Sequence, residues 1–141
     1  MGSVYQNLSF EEIRPLLPAI HEAIVTPAPS GVMFAAEIRI EGLRLLAKHH
    51  VEKGIDACVL FTRTQNPWAS EKRTPEIMKI LLTYGAQAKS ATADLEQIAK
   101  TFEKGEKNFP MRLSLDKAKI VRETIRAIEV SEEYPELIRI D

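Results

Sequence analysis

A chain of 141 residues suffices for one domain, and a globule of this length buries roughly 70% of the surface its unfolded form exposes, so no disulfide staple is needed. Nineteen basic and 20 acidic side chains leave a formal charge of -1, which excludes a global pull toward nucleic acid or anionic lipid and leaves only local patches to be sought. No apolar run approaches the roughly 20 residues of a membrane span, and the single cysteine, Cys58, excludes an internal disulfide and a multi-cysteine zinc site.

Met1-Gly2-Ser3 leads into polar residues, not a basic and then apolar stretch, so no secretory signal is expected and the compartment stays open. Ser9 and Glu12 form a capping box for the first helix, with Leu8 and Ile13 as the hydrophobic staple around it. Pro15 and Pro18 predict a kink, or a restart near Pro15, before the helix runs on through Ile20 and Ile24 to Thr26. Pro27 to Gly31 reads as a stiff turn. A second, amphipathic helix spans about Met33 to His49, with Ile38, Leu43, Leu45, Leu46 and Ala47 opposed to Glu37, Glu41, Arg44 and Lys48. The third covers Glu52 to about Thr64 through Ile55, Val59 and Thr62, and Gly54 weakens its first turn.

Arg63 to Arg73 reads as a polar connecting stretch around Asn66-Pro67-Trp68, after which Thr74-Pro75 offers a cap and a first-turn proline for the fourth helix. That helix ends at Tyr84-Gly85, where glycine can take the left-handed cap. Leu95, Ile98, Ala99 and Phe102 form the core stripe of a fifth helix from about Ser90 to Gly105. The sixth starts near Ser114, carries Ala118, Val121, Ile125 and Ile128, and is closed by Pro135; the residues after it form an extended tail.

Leu43-Arg44-Leu45-Leu46 is echoed 35 residues later by Met78-Lys79-Ile80-Leu81. A period in the thirties is typical of helix pairs that bury their apolar faces only by stacking on neighbours. The expected fold is therefore all-α: a right-handed α-solenoid of about three antiparallel helix pairs, HEAT- or armadillo-like. It forms one domain over 1–141, with pairs at about 9–49, 52–85 and 90–131 and a tail over 132–141.

The run from Ala28 to Ala35, the run from Ile40 to Lys48, Lys53 to Cys58, Trp68 and the stretch from Leu82 to Lys89 together resemble HEAT-like repeats near the C-terminus of certain large, poorly characterised bacterial proteins. The similarity covers about residues 28 to 100 and is lost after Gly105. In such proteins a PDZ-like domain sometimes precedes the repeats. The resemblance implies a helical-repeat segment of a larger molecule and supplies no catalytic residues.

No Ser-centred nucleophile elbow, Walker loop or dinucleotide glycine pattern is present. His49 and His50 point about 100 degrees apart on a helix and cannot share a metal in the usual manner, so no metal and no cofactor are expected. Cys58 is a nucleophile only if a base lowers its pKa; otherwise it fills space between helices. Trp68, with Arg63, Lys72 and Arg73 near it in sequence, is either a binding anchor for an acidic partner or a cap over the gap between the second and third pairs.

The second helix of each pair lines the concave face of such stacks. Arg44, Lys79 and Arg122 then form one basic row, and Lys48, Thr83 and Arg126 another, with Glu41 and Glu123 near enough to neutralise part of them. The expected function is a non-enzymatic protein-interaction or structural scaffold, with protein, peptide or other domains of the same parent chain as partners. A nucleic-acid-binding repeat using the basic groove is the alternative, and a thiol-dependent or small-molecule enzyme centred on Cys58 the third.

Overall fold

The computed structural model describes residues 9–25 and 35–140. The Leu8 half of the staple, the turn over 27–31 and the helix start near Met33 lie outside that range. Ser9 and Glu12 form the capping box: the Glu12 amide donates to Ser9 Oγ at 3.3 Å and the Ser9 amide to Glu12 Oε1 at 3.2 Å. These bonds also hold the Glu12 carboxyl below its ordinary range. Helix α1 (Phe10–Ile13) then tightens into a 3-10 turn, Arg14–Leu16, at Pro15 and resumes as α2 (Leu17–Val25). Ile13 and Leu17, one turn apart on either side of the interruption, are both fully buried, so the apolar face survives the break.

Helix α3 (Ala35–Lys48) ends in a Schellman arrangement: the His50 amide reaches the Ala47 carbonyl at 3.0 Å and the Val51 amide the Leu46 carbonyl at 2.9 Å. His50 itself stands in the left-handed slot usually given to glycine, at φ 51°. Helix α4 (Lys53–Arg63) follows, burying Ile55, Cys58, Val59, Phe61 and Thr62. Gly54 in its first turn has a packing reason, because a Cβ there would stand 2.1 Å from the hydroxyl of fully buried Tyr84. That hydroxyl donates to the Val51 carbonyl at 2.9 Å.

The largest departure from expectation is α5, which spans Pro67–Leu82 and does not begin at Pro75. Asn66 caps it, its side chain accepting from the Ala69 amide at 2.9 Å, with Pro67 in the first turn. Pro75 sits inside the helix, where it cannot donate to the carbonyl of Glu71. Gly85 takes the positive φ, 57°, and opens a seven-residue 3-10 run, Gly85–Ala91, before α6 (Thr92–Lys104). Helix α7 spans Met111–Val130, starting three residues before Ser114 and ending well before Pro135.

The chain is all-α; among the described residues there is no strand, only an isolated parallel bridge between Val51 and Ile138. Helix α2 packs on α3 and α4, α3 on α4 and α5, α4 on α5, α5 on α7, and α6 on α7, with a lighter contact between α4 and α6. The tail after α7 is extended, as expected, but firmly docked. The Ala86 amide donates to the Glu133 carbonyl at 2.7 Å, the Ile138 amide to His50 at 2.8 Å and the Glu52 amide back to Ile138 at 2.8 Å. Ile140 is buried in the common core.

Candidate functional site

The 35-residue echo has a structural counterpart. Leu43 and Met78, Leu45 and Ile80, and Leu46 and Leu81 are all buried, while Arg44 and Lys79 are exposed. Equal patterning on two packed helices brings the equivalent cations into one groove. This groove between α3 and α5 has a volume of about 570 Å³ and is lined by Arg44, Ala47, Lys48, Pro75, Glu76, Lys79, Ile80 and Thr83. Four of the residues read from the sequence as basic rows thus share a wall: Arg44, Lys48, Lys79 and Thr83.

The groove is electrically uneven. Arg44 is held at one end by Glu41, one turn earlier, and by Glu76 at 3.2 Å. Glu76 also takes Arg73 at 3.1 Å, so one carboxylate serves a buried and an exposed guanidinium. At the other end, Lys79 has no carboxylate within 4.0 Å among the described residues, and Thr83 donates its hydroxyl to the Ile80 carbonyl at 2.7 Å.

The other expected contacts go elsewhere. Arg122 does not extend the row, because it turns to α6. Its guanidinium grips Glu103 with two bonds of 2.7 Å and Glu96 with one of 2.8 Å. This fork holds the Glu103 carboxyl below its ordinary range and raises Arg122 further above an already high one. Arg126 is exposed on α7 but does not line the groove.

Arg63 ends α4 and bridges to Asp94 near the start of α6 at 3.0 Å, while Arg73 lies buried in α5 and pairs with Glu76. Trp68 belongs to the first turn of α5, not to a loop. Its ring meets Phe109 edge-on at 4.8 Å, yet 58% of the residue stays exposed. Through Phe109 it touches the connection between α6 and α7.

Pattern reasoning missed Lys117. Only 1% exposed, its ammonium donates to Ser70 Oγ at 2.6 Å and to the Pro67 carbonyl at 3.1 Å, and pairs with Glu106 at 2.5 Å. The rings of Phe102 and Phe109 close over it, with centroids at 4.6 and 4.3 Å. Ser114 Oγ donates to the Phe102 carbonyl at 2.6 Å, with Glu106 Oε1 a further 3.1 Å away. The signal was present in the spacing: Ser114, Lys117, Ala118 and Val121 stand at i, i+3, i+4 and i+7, so two polar residues occupy core register.

Burial pushes the Cys58 thiol up to about 12, which leaves it protonated at neutral pH and poor as a nucleophile. The pKa of the His49 imidazole is lowered by burial and by the charges of Lys48 and His50, and that of His21 by burial and by Lys53. Among the described residues no three His, Cys, Asp or Glu side chains are grouped to hold a metal ion, and no helix is long and apolar enough to cross a membrane. No protein-family model, curated protein or solved structure matches the chain.

Proposed function

We propose that the chain is a HEAT-like α-solenoid of three helix pairs that acts as a non-enzymatic protein-interaction or scaffold module, through the groove between α3 and α5. The pairs are α1–α2 with α3, α4 with α5, and α6 with α7. The packing order supports this reading: first helices touch first helices (α2 on α4, α4 on α6) and second helices touch second helices (α3 on α5, α5 on α7). Among the described residues α2 shares no substantial interface with α6 or α7, as a closed bundle would require. The observation that carries the functional reading is the meeting of Arg44 and Lys79, equivalent by the repeat, in one open groove.

A nucleic-acid partner is less well served. Tight phosphate tracking takes on the order of 6–10 contacts, whereas the groove offers three cations with Glu76 among them and the row stops before Arg122. The test is capture on the immobilised chain, set against Lys48→Glu/Lys79→Glu. A defined set of proteins retained by the parent and lost by the variant, at an unchanged unfolding midpoint, is the expected result. Equal retention by both, or a mobility shift of DNA or RNA at low salt that the variant abolishes, would remove the reading.

A further inference from the structure

The formal charge of -1 hides a division between the two ends of α7. Where α7 begins, Lys104, Lys107 and Arg112 are exposed on one short connection, and none has a carboxylate within 4.0 Å among the described residues. Glu103 and Glu106, their acidic neighbours in sequence, already hold Arg122 and Lys117. Exposed Trp68 and Met111 set apolar surface among these cations. Trp68 rests on Phe109, and the Met111 sulfur lies over Gly105, 2.9 Å from where a Cβ would stand. An apolar patch rimmed by charge is the usual mark of a contact surface.

Where α7 ends, the signs reverse. Glu129, Glu132, Glu133 and Glu136 are exposed around Val130 and Tyr134, which are 78% and 63% exposed, and none of the four carboxylates pairs with a cation within 4.0 Å among the described residues. The cations nearby are Arg126, one turn earlier, and Lys89, over the Tyr134 ring at 5.6 Å, so acid outnumbers base two to one. The bond from the Ala86 amide to the Glu133 carbonyl fixes this acidic end against the close of α5, where Leu82 is exposed as well.

Twenty residues of helix hold the two ends about 30 Å apart, so these charges cannot meet within one molecule. We propose that the basic end of one copy, bearing Trp68 and Met111, docks on the acidic end of a second copy, bearing Val130 and Tyr134. An anionic membrane or a nucleic acid would engage the basic end and leave the acidic one unanswered, whereas a second copy answers both. The contact is head to tail: every copy added leaves one end of each sign open, so assembly continues into a ring or a filament. None of these residues lines the α3–α5 groove, and the association is independent of what the groove binds.

Sedimentation velocity on the full chain reads the association. Lys107→Glu/Arg112→Glu reverses the basic end and Glu132→Lys/Glu136→Lys the acidic one, all at exposed side chains, so unfolding midpoints should stay near the parent's. The parent's mean mass should rise with concentration at about 0.1 M NaCl and fall back to the monomer at about 1 M, as the screening length shortens from roughly 10 to 3 Å. Each variant alone should associate at least about tenfold more weakly. An equimolar mixture should recover association, because the intact basic end of one variant then faces the intact acidic end of the other. A parent that stays monomeric at about 1 mM in low salt, association indifferent to salt, a variant that self-associates like the parent, or a mixture no stronger than its components would overturn the proposal.

Discussion

Lys117 illustrates how a single polar residue can organise a joint between helices. An ammonium taken out of water is costly unless its charge and all its donors are met, and here a carboxylate, a hydroxyl, a carbonyl and two ring faces meet it. Lys117→Met should cost about 3 kcal/mol, the lower end for breaking a buried pair, because the Glu106 side chain keeps 14% exposure and Ser114 nearby. Adding Glu106→Gln should recover much of that loss in denaturant unfolding; no recovery would mean that packing against Phe102 and Phe109 dominates. The Tyr84 hydroxyl and Gly54 make a second coupled site. Tyr84→Phe should cost about 1 kcal/mol by removing one of the two hydrogen bonds that the Val51 carbonyl accepts, the Gly54 amide keeping the other. Gly54→Ala should destabilise the parent despite a helix-propensity gain of about 1 kcal/mol. In the Tyr84→Phe background it should cost less, since the nearest remaining atom, Leu46 Cβ, is 3.1 Å away. Additive costs in that cycle would show that the close approach is not what excludes a side chain at Gly54.

At the scale of elements, the docked tail is the clearest case for a measurement. Removing residues 131–141 strips the Ala86 and Glu52 amides of their acceptors and uncovers Val51 and the core face met by Ile140. The truncated chain should melt earlier, and exchange at those two amides should quicken most; unchanged exchange there would show that the tail does not dock in solution. The same elements mark what could be read from residues alone. The capping box at Ser9, the positive φ of Gly85 and the buried stripe from Leu95 to Phe102 follow from local chemistry and were legible. The start of α5 was not. Asn66-Pro67 and Thr74-Pro75 carry the same cap-and-proline signal, and the first won although residues 67–73 show no apolar period. Ser70 and Arg73 are buried on that half of the helix, satisfied by Lys117 and Glu76. A polar core hides from any reading that equates burial with hydrophobicity, and for that reason both Lys117 and the helix turn above it were missed. In the groove, Arg44, Lys48, Lys79 and Thr83 were found through the 35-residue offset, whereas Arg122 was lost to an acidic pair on α6 that only the fold brings near.

For the whole molecule, an open stack and a closed bundle differ in how damage spreads. Leu17→Ala removes a fully buried side chain from α2, at a cost of about 2–5 kcal/mol. In a stack of nearest-neighbour interfaces, amide protection in α6 and α7 should persist while α2 and α3 loosen. Uniform loss across all helices would mark one cooperative unit and sink the solenoid reading. One connection runs against strict neighbour-to-neighbour order: the tail returns to the α3–α4 turn, and Arg139 meets Glu52 across 87 positions of sequence. During synthesis at roughly 5–20 residues per second, on the order of 4–17 s separate the appearance of those two residues. Over that interval the bonds of the Ile138 amide to His50 and of the Glu52 amide to Ile138 cannot form, because Ile138 has not yet been made. The seam acts as a timer: it is the last contact of the chain to become available, and a chain that ends before residue 131 lacks it.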